Sequence, residues 1–194
     1  MRRRVRSPVL LVPSLLLLLA ACGDASRPTG PVAGSSLARQ SAGGSERLVT
    51  MMDACDPTTF NAALGDPTAC LRRGGVTFDR FLAQLETHRV VGAWRFAPPT
   101  MHVQVGETLV AINRGGEVHT FTEVEHFGGG IVAALNALSG NPVAAPECLQ
   151  LGGDDFVPAG GTDREEVHEP GTELYQCCIH PWMRTTVHAH AHGA

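Results

Sequence analysis

The chain has 194 residues and a formal net charge of -4 at pH 7, so one principal domain is expected beside any targeting segment. A nucleic-acid surface is not expected, because phosphate binding needs a basic face and the basic residues do not cluster beyond the N-terminus. Aromatic residues make up only 5 % against 22 glycines and 13 prolines, a balance that fits a turn-rich β domain better than a helical bundle.

Arg2, Arg3, Arg4 and Arg6 precede an apolar run from Val9 to Ala21, the charge-then-apolar order of an export signal over residues 1–21. Pro13 and Ser14 interrupt the run, which is shorter than the roughly 20 apolar residues a membrane-spanning helix needs. Leu19-Ala20-Ala21-Cys22 resembles the bacterial lipobox. That resemblance implies cleavage before Cys22, acylation of its thiol, and a mature protein held by lipid on a membrane that faces an oxidising space. Residues 22–47 then read as the lipidated cysteine and a flexible tether, because Gly, Ser, Pro and Ala dominate and too few large apolar side chains remain to order it.

Residues 48–89 read as a helical N-terminal extension. Asp56 offers an N-cap with Pro57 at the first helical position, and Thr77 caps a second short helix that places Phe78, Phe81, Leu82 and Leu85 on one face. Cys55 and Cys70 flank a Gly-Asp-Pro turn at a spacing that a disulfide can close in an exported protein.

From residue 90 to 194 the pattern changes to strands: VVGAWRF, MHVQV, ETLVAIN, VHTFTEV, DREEVHE, TELYQCC and TTVHAH alternate apolar or β-branched residues between Gly, Pro and Asn breaks. Seven short segments predict a mainly β Greek-key sandwich. An insertion over about 127–158 contains FGGG, the apolar IVAALNAL, which fits a helical turn, and Cys148; it is expected to pack across one end of the sandwich.

The chemistry concentrates in YQCCIHPWM, residues 175–183. Cys177, His180 and Met183 stand three apart, so one tight loop can present a thiolate, an imidazole and a thioether to one centre, and His119 in NRGGEVHTF can supply a second imidazole from a neighbouring strand. Two imidazoles, one thiolate and a long axial thioether form the trigonal set that selects copper for electron transfer.

GETLVAINRGGEVHTF followed by PGTELYQCCIHPWM is similar to the cupredoxins of plastocyanin and amicyanin type, over roughly residues 93–187 without the insertion. The resemblance implies one type 1 copper ion held by His119, Cys177, His180 and Met183. It further implies an electron carrier rather than an enzyme, with redox proteins as partners and no small-molecule substrate. Where these families commonly have Asn after the first histidine, this chain has Thr120, which puts the hydrogen bonds between the two ligand segments in doubt. The family loop assigns the thiolate to Cys177, and alternation along the strand then turns Cys178 to the opposite face. Cys55, Cys70, Cys148 and Cys178 remain, which allows three pairings; 55 with 70 and 148 with 178 is the expected one.

Trp182 and Pro181 are expected to form an apolar docking patch around an exposed edge of His180. His188, His190 and His192 alternate, so in a strand they share one face and can recruit a second metal ion. With the vicinal cysteines, this tail also supports an alternative function as a copper carrier or sequestration lipoprotein.

Overall fold

The computed structural model describes residues 44–191. The export signal, Cys22, the tether to residue 43 and His192 lie outside the described residues. No helix among those described is long and apolar enough to cross a membrane.

The first element is a strand, β1 (Glu46–Met52), which corrects two sequence-based boundaries: the tether stops short of Glu46, and Leu48 to Met52 is extended, not helical. Val49 and Met51 point inward with no exposed surface while their neighbours face out, the period of two that a half-buried strand requires. The two capped helices follow. Helix α1 (Pro57–Leu64) starts at Asp56, whose carboxylate accepts from the Thr59 amide, and ends on Gly65 in the left-handed conformation. Helix α2 (Phe78–His88) starts at Thr77, whose hydroxyl accepts from the Arg80 amide.

The remaining strands are β2 (Arg95–Ala97), β3 (Thr100–Gln104), β4 (Thr108–Asn113), β5 (His119–Thr120), β6 (Thr122–Val124), β7 (Phe156–Val157), β8 (Thr162–Glu166), β9 (Gly171–Gln176) and β10 (Arg184–His190). Of VVGAWRF only Arg95 and Phe96 pair, with Ala97 after them, because Trp94 closes a turn onto Val91. One sheet runs β2-β1-β4-β8, the other β3-β10-β9-β6, and β5 with β7 forms a short ribbon. The chain crosses between the two larger sheets repeatedly, so each holds one parallel pair: β1 with β4 and β10 with β3.

Between the sheets Val49, Met51, Phe96, Val103, Leu109, Phe121, Tyr175 and Val187 form the core, with the Phe121 and Tyr175 rings stacked at 4.4 Å. The fold is a mainly β sandwich. Its N-terminal segment does not stand apart as a helical extension, since β1 is an interior strand of the first sheet. The insertion forms helix α3 (Ala133–Ser139) and a 3-10 turn at Glu147–Leu149, and then returns as β7.

Candidate metal centre

Two segments converge at one end of the sandwich. His119 lies on β5 opposite Val157 of β7, so the insertion's returning strand holds it. Asn113, at the end of β4, fixes the turn before it: its amide donates to the Glu117 carbonyl at 2.8 Å and the Val157 carbonyl at 2.9 Å, and its oxygen accepts from the Gly115 amide. Cys177 follows β9 directly and Met183 directly precedes β10. The loop between them is closed by the Cys177 amide donating to the Met183 carbonyl at 3.0 Å and the Met183 amide donating to the His180 carbonyl at 2.9 Å.

The Cys177 sulfur is 3.8 Å from His119 Nδ1 and 3.9 Å from His180 Nδ1, and these three residues are fully or almost fully buried. With metal–nitrogen bonds of about 2.0–2.1 Å and a metal–sulfur bond of about 2.3 Å, such separations subtend roughly 120–130° at an ion between them. That is closer to trigonal than to tetrahedral. The group could hold a metal ion, and its imidazole-thiolate donor set is the kind that soft and borderline metals prefer. Met183 is fully buried in the same loop.

Thr120 resolves the doubt its identity raised. Its amide points at the Cys177 sulfur at 3.5 Å, and its hydroxyl accepts from the Cys178 amide at 2.8 Å. The two ligand segments are therefore tied across one residue, with a hydroxyl doing the bridging.

Two carboxylates behind the histidines are not apparent from any sequence motif. Asp53, just past β1, is buried and takes His119 Nε2 at 2.9 Å, along with the amides of Gly116 at 2.9 Å, Glu117 at 3.0 Å and Cys55 at 3.2 Å. Burial opposes its ionisation, but the hydrogen bonds from His119 and the Gly116 and Glu117 amides outweigh that, and its carboxyl is held at about 2. An ionised carboxylate only accepts, so the proton of His119 sits on Nε2 and Nδ1 is turned toward the sulfur.

Without metal, burial works against a charge on His119, yet Asp53 and Cys177 raise it to about 9. Burial likewise opposes the Cys177 thiolate, and the hydrogen bonds from His119 and His180 overcome this, holding the thiol well below its ordinary range. The pocket is thus set for a thiolate.

The Asp53 carboxylate fits only because residue 115 is glycine: a Cβ there would lie 1.9 Å from Asp53 Oδ2. The Gly-Gly of NRGGEVH, readable as a turn, is where another segment approaches closely.

Glu117 stands 3.6 Å from His180 Nε2 and accepts the Trp94 indole N–H. Burial raises its pKa, against the nearby His180 charge. His180 itself is only 3 % exposed, which corrects the expected exposed imidazole edge. Phe81 from α2, Trp94 and Trp182 pack around the ring at centroid distances of 6.3, 6.4 and 5.5 Å. Trp182 is half-buried against Phe81, with its indole nitrogen buried and unpartnered, so it is part of this cover. An apolar groove of about 330 Å³ between the helices, walled by Phe78, Leu82, Leu135 and Ile179, reaches Glu117 and His180.

The other four cysteines form two disulfides, Cys55–Cys70 and Cys148–Cys178. The second joins the insertion to the residue beside Cys177, leaving Cys177 as the only free thiol among the described residues. Arg184 adds a second fastening: it donates to the Pro181 carbonyl at 2.6 Å, the Gly128 carbonyl at 3.2 Å and Asn141 Oδ1 at 2.7 Å, and lies 4.7 Å over the Phe127 ring.

No family model matches the chain, and no curated protein matches it. Among solved structures, a purple cupredoxin from Nitrosopumilus maritimus is 15 % identical, over 74 % of this chain and 98 % of its own, with a TM-score of 0.42. An amicyanin variant in its Cu(I) form is 25 % identical over 50 % of this chain and 73 % of its own, with a TM-score of 0.33. A fern plastocyanin variant is 20 % identical over 50 % and 89 %, with a TM-score of 0.35. The chain is similar to the cupredoxins. Its covered histidine and its insertion set the cupredoxin-like site in a more enclosed frame than the sequence motif alone implies.

Proposed function

We propose that this chain is an exported one-electron carrier with a single type 1 copper, which His119, Cys177, His180 and Met183 would hold. The observation that carries this reading is the buried Cys177 sulfur lying nearly equidistant from two imidazole Nδ1 atoms. A bound copper supplies a one-electron couple. The protein's part is to hold one donor geometry for both oxidation states: the Thr120 amide on the sulfur, Asp53 on His119 and the disulfide beside Cys177 each restrain a donor.

Because Phe81, Trp94 and Trp182 cover His180, electrons pass between the centre and a redox partner protein through this packed aromatic layer and not from a bare imidazole edge. Acylation at Cys22, followed by a Gly-, Ser- and Pro-rich sequence, would keep the domain at a membrane surface within reach of such partners. The sequestration alternative loses its vicinal dithiol, since Cys178 is bonded to Cys148.

The test is addition of one equivalent of Cu(II) to the full chain. An intense visible thiolate-to-copper absorption with narrow copper hyperfine splitting in electron spin resonance is expected, and both are lost in Cys177→Ser. A colourless complex, or unchanged spectra in that variant, would overturn the assignment.

A further inference from the structure

The outer face of the second sheet carries a separate group of histidines that the thiolate centre does not use. His188 and His190 alternate on β10 and so share a face, while the parallel pairing of β10 with β3 sets His102 directly beside His188. His102 was not part of the alternating run in the sequence; only the register brings it there. His102 Nδ1 and His190 Nε2 are 3.0 Å apart, and the two rings stack at 5.3 Å and 15°. The His188 ring lies 5.0 Å from that of His102, and its Nδ1 is 3.2 Å from the Thr172 hydroxyl. His102 and His190 are exposed and His188 is half-buried, so an ion reaches them from solvent.

We propose that His102 and His190, with His188 beside them, form a second metal site, which takes one Cu(II) ion from solution.

The spacing of the His102 and His190 nitrogens suits this. Two nitrogens 3.0 Å apart subtend about 95° at an ion with bonds of about 2.05 Å, the right angle between neighbouring positions of the tetragonal geometry that Cu(II) prefers. The present contact is an N–H···N hydrogen bond, in which one facing nitrogen donates and the other accepts. If the donating ring moves its proton to its outer nitrogen, both facing nitrogens are freed without net proton release. The Thr172 hydroxyl meets His188 at Nδ1, so a turn of the His188 ring toward the pair would be needed before its Nε2 could join as a third donor. Imidazole donors bind Zn(II) and Ni(II) as well, but Cu(II) binds most strongly in the first-row order. Solvent completes the coordination, and no electron transfer is involved.

The site is distinct from the thiolate centre. At about 3.3 Å per residue, His188 and His190 lie roughly 13 and 20 Å along β10 from Arg184. The inference therefore stands independently of the proposed electron carrier.

The test uses the full chain, first loaded with one equivalent of copper and then titrated with Cu(II) by calorimetry and electron spin resonance. A second equivalent is expected to bind with wide copper hyperfine splitting and nitrogen superhyperfine lines, and without new intense visible absorption. His102→Ala and His190→Ala, both at exposed positions, should each weaken that equivalent at least tenfold while the first is unaffected. In Cys177→Ser the imidazole signal should persist, so failure of the thiolate centre and failure of this site read out separately. Absence of a second equivalent in the wild-type chain would overturn the inference. So would wild-type affinity in His102→Ala, which would assign the ion to the C-terminal run alone.

Discussion

Strand β10 has a different histidine environment at each end. Beside its start, His119 and His180 are buried around a thiolate, each with a carboxylate behind it. Toward its other end, His188 and His190 meet His102 on an open sheet face with a hydroxyl as the nearest support. The same side chain thus serves two chemistries. Enclosure and a sulfur donor restrain the first set, as the proposed change of oxidation state requires, whereas solvent access leaves the second open to the proposed uptake of an ion.

The sharpest way to break this comparison is to remove the sulfur. Cys177→Ser should abolish all of the intense visible absorption of the copper-loaded chain, turning the enclosed end into an imidazole site and leaving the open face as it was; optical and spin-resonance titrations check both outcomes.

Opening the enclosure is the next largest effect. Cys148→Ala with Cys178→Ala removes a cross-link of 30 residues' separation, which should lower unfolding stability by about 3.5 kcal/mol from loop entropy. Urea denaturation of the full chain measures it. A loss well under 1 kcal/mol would mean that Arg184 and the β5-β7 ribbon hold the insertion unaided.

Asp53→Asn acts on one ligand only. It keeps the shape but removes the charge, and its NH2 meets two of the four N–H groups that the carboxylate accepts from, those of His119, Gly116, Glu117 and Cys55. Loss of such a hydrogen-bonded support lowers metal affinity about 10- to 100-fold. If the loss falls on Cu(II) and spares Cu(I), the reduction potential rises by roughly 60–120 mV. Voltammetry of wild type and variant decides this, and the potential should not move in His190→Ala.

The parts legible in the sequence are those set by neighbours along the chain. Asp56 and Thr77 announce their helices because a cap acts within one turn. Cys177, His180 and Met183 share a loop of seven residues, and the strands after Ala93 show their period directly. What sequence reading missed depends on register. Asp53 reaches His119 across 66 positions because β1 pairs with β4, Met51 opposite Asn113. β1 alternates at only two buried positions, Val49 and Met51, directly before two capped helices, too short a pattern to separate it from them. His102 likewise joins His188 only through the β3-β10 pairing, 86 positions apart along the chain. The cover over His180 has a related origin: the periodicity puts Phe81 on the apolar face of α2, but only the packing of that helix sets it on the imidazole.

The smallest expected effect concerns protons at the enclosed end of the metal-free chain. Asp53 is held at about 2 against an ordinary 3.8, so its contribution is complete above 3.8 and is lost as pH falls through 2. His119 is raised to about 9 from 6.5, so its contribution is complete below 6.5 and is lost as pH rises through 9. The Asp53–His119 pair contributes to both edges, and Cys177 contributes to the alkaline one as well. A depression from 3.8 to about 2 corresponds to about 2 kcal/mol. Metal-free wild type should therefore be most stable between about pH 4 and 6.5, with an alkaline decline that Asp53→Asn flattens. Copper at His119 Nδ1 takes the place of the proton being lost, so loading should remove the alkaline decline as well. Thermal unfolding at pH 5.5 and 9.5, with and without copper, checks all three statements; an alkaline decline of equal size in Asp53→Asn would place its origin away from this pair.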